Sequence, residues 1–158
     1  MTIEEVCERH RRIAVDANVL IYLLEGDEHW GPAARALMKA VENGRLAAVL
    51  SAVGLAEVLT GPARDDLAHL ERYNDEIRSI AGLKVIPFEG GLSPDAAVIR
   101  GVRRIGLSDA IHLATARASG ATAFVTNDRQ IRGSPRLEII YLDDLELAAV
   151  HPFDVNAS

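Results

Sequence analysis

The sequence alternates between short apolar runs and longer segments whose apolar residues recur every three or four positions. The short runs are typical of buried strands, and the longer segments have the periodicity of amphipathic helices. Strands that alternate with helices favour a parallel sheet, covered by helices on both faces and joined by right-handed crossovers. The sequence therefore predicts an α/β fold with strands at 12–16, 46–51, 83–86, 123–126 and 138–141.

Local signals set the boundaries of several helices. Thr2-Ile3-Glu4-Glu5 has the form of a capping box and predicts a helix that reaches about His10. The segment 53–59 predicts a helix that ends before Gly61-Pro62, because proline lacks the N–H that a helix interior uses. Residues 63–80 then predict one long helix.

Two further helices are predicted before the fourth strand. Ser93-Pro94 predicts a helix start with proline at its first position, and Ser108 should cap a helix from Asp109 to about Ser119. In the first of these helices, the residues expected to face the core are Ala97, Val98, Gly101, Val102 and Ile105.

Size and composition indicate one ordinary domain. The 158 residues, 49% of them hydrophobic, are enough to bury a core without disulfides. Cys7 is the single cysteine, and the longest near-apolar stretch, 46–56, is too short to cross a bilayer. We expect a cytoplasmic protein that does not enter membranes. Its parts should be a helical extension at 1–11, the α/β domain at 12–147 and a frayed tail at 148–158.

The charge balance by itself argues against a nucleic-acid partner. The sequence has 17 basic and 23 acidic residues, which gives a net charge of −6. Proteins that bind phosphate backbones usually carry a basic footprint instead. This objection holds only if no cation binds among the acidic residues.

Four acidic residues lie where a ligand site is expected. Asp16 ends the first strand, Asp128 follows the fourth strand by two residues, and Asp109 lies in the first turn of its helix. Glu57 lies in an otherwise apolar segment, where a charge is costly unless it is paired or coordinated. Each also has a structural interpretation, as a helix-terminus acid, a turn residue or a solvent-facing side chain.

Together, the four carboxylates predict a metal site. In open α/β sheets ligands bind outside the carboxyl ends of the strands, and converging carboxylates repel one another unless cations lie between them. Oxygen ligands favour Mg²⁺ or Mn²⁺, which suits water-mediated hydrolysis of a phosphodiester. Asn18, Ser51 and Thr126 could orient the carboxylates by hydrogen bonding. Two such ions would change the net charge from −6 to about −2, so binding of a nucleic acid should depend on metal.

Four motifs in order resemble those of the PIN-domain nucleases, especially the VapC-like toxins of bacterial toxin-antitoxin pairs. The motifs are VDANVL at 15–20, the segment 51–59 with its glutamate, LSDAIHLATA at 107–116 and FVTNDR at 124–129. The resemblance implies a three-layer α/β/α fold with a five-stranded parallel sheet. It also implies cleavage of RNA that depends on one or two Mg²⁺ or Mn²⁺ ions.

The same resemblance implies particular residues and partners. The four acids of the family correspond to Asp16, Glu57, Asp109 and Asp128, and its hydrogen-bonding positions to Asn18, Ser51 and Thr126. An antitoxin is the expected protein partner, and we expect a homodimer. The helix before the first strand and the tail depart from the commonest toxin pattern, which leaves open a PIN nuclease of RNA maturation or decay.

Several basic residues could contact an RNA substrate. Arg129 directly follows the fourth acid, and Arg100 and Arg104 could form a phosphate-binding face, although a solvated helix face explains them equally well. We interpret His112, one helical turn after Asp109, as a packed or hydrogen-bonded core residue.

Three other functions are alternatives to a PIN nuclease. A haloacid-dehalogenase-type phosphatase would need a second Asp two residues after Asp16, where the chain has Asn18, and a suitably placed lysine, whereas the chain has only Lys39 and Lys84. A receiver-like domain would need paired acids near the first strand and a lysine after the last one. A PIN fold that only binds a partner would not bind Mn²⁺ through Asp16 and Asp109.

Overall fold

The computed structural model describes residues 1–147, and the predicted tail at 148–158 lies outside this range. Strands and helices alternate along these residues, as the sequence pattern predicts. The strands are β1 (Arg12–Val15), β2 (Ala47–Ser51), β3 (Leu83–Ile86), β4 (Ala123–Thr126) and β5 (Glu138–Tyr141). The helices are α1 (Ile3–Arg9), α2 (Ala17–Glu25), α3 (Gly31–Glu42), α4 (Ala52–Asp65), α5 (Leu67–Ser79), α6 (Ser93–Arg103) and α7 (Leu107–Ala118), with short 3₁₀ helices at Gly90–Leu92 and Leu142–Asp144.

The five strands form one parallel sheet in the order β3-β2-β1-β4-β5. In the central strand, Ala14 lies opposite Val49 of β2 and Phe124 of β4. On one side of β1 lie β2 and then β3, and on the other side lie β4 and then β5. The carboxyl end of β1 therefore lies at the switch point where such sheets leave a crevice.

Alternate residues of each strand face opposite layers of helices. Ile13 and Val15 of β1 pack in a core with helices α1 to α5, whereas Ala14 packs in a second core with α6 and α7. Both faces are apolar because a parallel sheet is buried on both sides. This arrangement confirms the predicted three-layer α/β/α fold with a five-stranded parallel sheet.

Helix α1 is part of this architecture. Its capping box forms as predicted, with Thr2 Oγ1 accepting from the Glu5 N–H and the Glu5 carboxylate accepting from the Thr2 N–H. Ile3 and Val6 are buried in the core. Arg9 donates to both carboxylate oxygens of Glu138 at 2.8 Å, so the helix is also fastened to β5.

Helix α4 corrects two of the predicted boundaries. It continues through Gly61-Pro62 to Asp65, and a separate helix α5 over Leu67–Ser79 forms most of the predicted helix 63–80. Pro62 is buried beside Val58, and packing of this face outweighs the missing proline N–H. The break comes at Asp66, whose backbone is extended and whose carboxylate accepts from the His69 N–H at 2.7 Å.

Helix α6 buries a different face from the predicted one. Ala96 and Ile99 are buried, whereas Val98 and Val102 are 61% and 77% exposed. The helix is apolar around more than half of its circumference, so periodicity alone does not determine which stripe faces α7. Among residues 1–147, no helix has both the length and the apolar character that crossing a bilayer requires.

Candidate active site

The end of the central strand presents a buried carboxylate. Asp16 directly follows β1 and is only 5% exposed, and its Oδ2 accepts a 2.7 Å hydrogen bond from the Thr126 hydroxyl. Its backbone N–H donates to the carbonyl of Val125, which completes the pairing of β1 with β4. Burial raises the pKa of Asp16, and the hydrogen bond from Thr126 partly opposes this rise. The carboxylate is therefore held in an environment that favours a proton or a cation.

The hydroxyl of Thr126 connects two of the predicted acids. Thr126 is fully buried at the end of β4, and its oxygen accepts from the Asp128 N–H at 3.0 Å while the hydroxyl donates to Asp16. Asp128 Oδ1 in turn accepts from the Gln130 N–H at 2.8 Å. This turn fixes Asp128 beside the carboxyl end of β1.

Glu57 reaches the same place from α4 and is held by a histidine. Its Oε2 lies 2.8 Å from His112 Nε2, and His112 Nδ1 lies 2.6 Å from the Ser51 hydroxyl. The Ser51 oxygen also accepts from the Gly54 N–H at the start of α4. With a proton on Nε2, the His112 ring donates to Glu57 and accepts from the Ser51 hydroxyl, so both ring nitrogens have a hydrogen-bond partner.

His112 is therefore a site residue that the sequence interpretation left out. It is buried, as that interpretation expected, and it lies roughly parallel to the ring of Phe124 with centroids 6.5 Å apart. Its position one turn after Asp109 on α7 was the available signal. The sequence does not show which residue of another helix contacts His112. In the structure this residue is Glu57 of α4.

Gly54 packs closely against residues of this hydrogen-bond network. A Cβ at this position would lie 2.9 Å from Leu50 Cδ1 and 3.4 Å from His112 Cε1. A glycine at this position leaves room for the first turn of α4 to lie close to β2 and α7 without displacing the Leu50 side chain. The absent side chain therefore helps to set the position of His112 relative to Ser51.

Asp109 lies in the first turn of α7, one turn before His112, and outside the group of residues whose ligand atoms lie within 4.8 Å of one another. This helix begins at Leu107 with Gly106 as its N-cap, so Ser108 lies inside the helix and is not the predicted cap. The Asp109 carboxylate folds back towards Gly106, where a Cβ would lie 3.1 Å from Oδ2. Burial raises the pKa of Asp109, and the negative charges of Asp16, Asp128 and Glu57 raise it further.

The residue types in this group fit a hard divalent cation. One ligand atom each from Asp16, Glu57 and His112 lies within 4.8 Å of the others. Both nitrogens of His112 already have partners, so the histidine orients Glu57 while the carboxylate oxygens face one another. Carboxylate oxygens are the donors that Mg²⁺ and Mn²⁺ prefer.

The remaining predicted residues surround this group. Asn18 is partly buried at the second position of α2, two residues after Asp16. Arg129 lies over the ring of Tyr141 at 4.1 Å and donates to both carboxylate oxygens of Asp144. In this structure the Arg129 guanidinium is therefore paired with a protein carboxylate.

Arg100 and Arg104 line a groove between α6 and α7. The groove has a volume of about 690 Å³ and is also lined by Phe88, Leu107 and Ile111. Leu107 and Ile111 lie two residues on either side of Asp109 along α7. Among residues 1–147, Arg104 is the only residue other than glycine with a positive φ, 57°, where it ends α6.

Comparison with known proteins places the chain in a family. No curated protein matched the sequence. Among solved structures, VapBC2 from Rickettsia felis bound to a promoter DNA fragment aligns with a TM-score of 0.65 and 18% identity, over 82% of this chain and 98% of the other. A toxin-antitoxin complex from Klebsiella pneumoniae aligns with a TM-score of 0.62 and 21% identity, over 79% and 94%.

A third solved structure belongs to a toxin described by its target. VapC20 of Mycobacterium tuberculosis, a toxin that cleaves the sarcin-ricin loop, aligns with a TM-score of 0.56 and 20% identity, over 71% of this chain and 86% of the other. At these identities the similarities establish a shared fold. The sequence model of the PIN domain matches residues 13–136, which include all four predicted acids, and the chain belongs to the PIN domain family.

Proposed function

We propose that this protein is a metal-dependent endoribonuclease and the toxin of a toxin-antitoxin pair. The observation that carries the proposal is that ligand atoms of Asp16 and Glu57 lie within 4.8 Å of each other at the carboxyl end of the central strand. Thr126 links Asp128 to Asp16 by hydrogen bonds, and Asp109 lies one helical turn before His112. Family membership supports a nuclease, and the similar solved structures that contain toxin-antitoxin complexes support the toxin assignment.

In the proposed mechanism the four carboxylates would hold one or two Mg²⁺ or Mn²⁺ ions. When bound, such ions lower the pKa of the attacking water and neutralise charge that develops on the phosphate. Thr126 holds Asp16 and Asp128 in place by its two hydrogen bonds. His112 holds Glu57, and Ser51 holds His112, so the carboxylates need little reorganisation when the cation binds.

The groove between α6 and α7 is the proposed binding surface for the RNA strand. Arg100 and Arg104 lie one helical turn apart on its rim, and Phe88 adds an exposed aromatic ring. Basic and aromatic side chains along one groove are the usual combination for single-stranded nucleic acid. Arg129 would bind a phosphate of the substrate only after its hydrogen bonds to Asp144 are broken.

A cognate antitoxin is the proposed protein partner, and the proposed assembly is a homodimer in the cytoplasm. Arg129, Arg132 and Arg136 follow the last acid of the site and could pair with acidic residues of the antitoxin. Such pairing would cover the entrance to the carboxylate cluster. The antitoxin would then inhibit the nuclease by keeping RNA away from the carboxylates.

The test is cleavage of a 5′-labelled RNA by Asp109→Asn in Mg²⁺ and in EDTA. The matched control is Asp95→Asn, which removes a carboxylate from the first turn of the neighbouring helix α6. We expect Asp109→Asn to lose cleavage and growth arrest while its circular dichroism spectrum is unchanged, and Asp95→Asn to remain active. RNA cleavage by Asp109→Asn at the wild-type rate, or wild-type cleavage in EDTA, would refute the proposal.

A further inference from the structure

Three aromatic side chains form a cluster between α2 and α3, which we term the aromatic rim (Tyr22, His29 and Trp30). The rings of Tyr22 and Trp30 pack with centroids 4.8 Å apart, and His29 packs edge-on against Trp30 at 5.1 Å. Asp27 fixes the start of this turn, because its carboxylate accepts from the backbone N–H groups of both His29 and Trp30. His29 is exposed, and the other two rings are partly buried.

Hydrogen bonds connect the aromatic rim to the carboxylate cluster. Trp30 Nε1 donates to Asp143 Oδ1 at 2.5 Å, and the Asp143 N–H donates to Asn127 Oδ1 at 3.0 Å. Asn127 lies between Thr126 and Asp128 in the sequence, so the rim is two contacts away from two groups of the site.

The carboxylate that holds the indole also contacts a cation. Arg129 Nη2 lies 3.8 Å from Asp143 Oδ2. An indole and a guanidinium are thus grouped at one border of the site, and these groups stack on bases and bind phosphates.

We propose that Trp30 is a stacking surface for an unpaired base of single-stranded RNA, next to the phosphate held at the carboxylate cluster. The indole is already fixed by Tyr22, by Asp143 and by its place at the start of α3, so stacking orders few additional side chains. Every base has a π-face, and such a contact therefore gives affinity with little sequence preference. The inference rests on the proposed function and identifies where that function would engage its substrate.

Trp30 is the single tryptophan of the chain, which gives a direct experiment. The probes are a fluorescein-labelled oligoadenylate of eight nucleotides and a matching strand of abasic ribose phosphates. Binding is measured by anisotropy with Ca²⁺ in place of Mg²⁺, because Ca²⁺ also takes carboxylate ligands. With unlabelled strands, tryptophan emission reports contact with Trp30.

We expect oligoadenylate to quench the tryptophan emission and the abasic strand to leave it unchanged. Trp30→Leu should raise the Kd for oligoadenylate by roughly 5- to 100-fold and leave the Kd for the abasic strand unchanged. Trp30→Phe loses the hydrogen bond to Asp143 but keeps a ring, and should retain most of the affinity. Tyr73→Leu removes a ring that also packs against a histidine, but on α5, and should have no effect.

The inference is overturned if folded Trp30→Leu binds oligoadenylate as tightly as wild type, or if the abasic strand quenches Trp30 equally. A loss of affinity as large in Trp30→Phe as in Trp30→Leu would also overturn it, because the hydrogen bond to Asp143 would then be responsible. None of these results affects the proposed nuclease function, which the Asp109→Asn cleavage assay judges separately.

Discussion

Replacing Glu57 with glutamine should stabilise the metal-free protein. The nearest carboxylate oxygens of Asp16 and Glu57 lie within 4.8 Å of each other, and Asp16 is almost fully buried. Two unit charges at this distance repel by about 3.5 kcal/mol at an effective dielectric constant of 20. The Glu57 side chain is 39% exposed, so water screens the pair and about 1–2 kcal/mol is the expected net gain.

The substitution is a clean removal of charge. The side-chain oxygen of glutamine can still accept from His112 Nε2, so the chain through His112 to Ser51 is preserved. For a protein of this size, a gain of 1–2 kcal/mol corresponds to a rise in Tm of about 3–6 °C. The same variant should respond less to Mg²⁺, because one of the proposed carboxylate ligands has become neutral.

The assay is thermal unfolding in EDTA and across a series of Mg²⁺ concentrations. Glu71→Gln, which removes an exposed carboxylate from α5, is the matched control and should melt as wild type under both conditions. A Glu57→Gln variant that melts below wild type in EDTA would contradict this reasoning, because Glu57 would then stabilise the metal-free fold. An unchanged response to Mg²⁺ would show that Glu57 does not hold the cation.

Two further predictions concern pH and packing. The pKa values of Asp16 and Asp109 are raised in the folded state, so as pH falls from neutral the folded protein takes up protons before the unfolded chain does. In EDTA the Tm of Asp109→Asn should therefore exceed that of wild type at neutral pH and the difference should shrink towards pH 5, while calorimetry should show weaker Mn²⁺ binding to wild type in acid. A difference that grows in acid would contradict this sign. Gly54→Ala should cost about 1–3 kcal/mol and slow RNA cleavage, because its Cβ would meet Leu50 and His112, whereas Gly61→Ala on the same helix meets nothing within 4 Å and should be neutral or stabilising in urea unfolding.

The elements that the sequence predicted well are those whose signals are local. The strands β3, β4 and β5 have the predicted bounds, and Asp16 follows β1 because a buried run gives way to a polar residue at the sheet edge. The capping box of α1 also needs only neighbouring residues. Such features depend on backbone conformation and alternation, which the sequence carries within a few positions.

The features that were missed depend on tertiary contacts. Pro62 remains inside α4, where it is buried on the same face as Val58, and no local pattern reports that burial. The exposed Val98 and Val102 follow from which side of α6 meets α7. The place of His112 in the site depends on its hydrogen bond to Glu57 of α4, a contact that the sequence does not show.

The hydrogen bond between Asp16 and Thr126 joins residues 110 positions apart, and it has a consequence for how the protein becomes active. During synthesis, β1, β2 and β3 can associate before β4 (Ala123–Thr126) has been made. Contacts of such long range form late in folding, because their loop-closure entropy must first be overcome. A ribosome-bound chain that ends before β4 lacks both the strand that holds Asp16 and the turn that carries Asp128. Under the proposed function, such a chain would therefore lack nuclease activity.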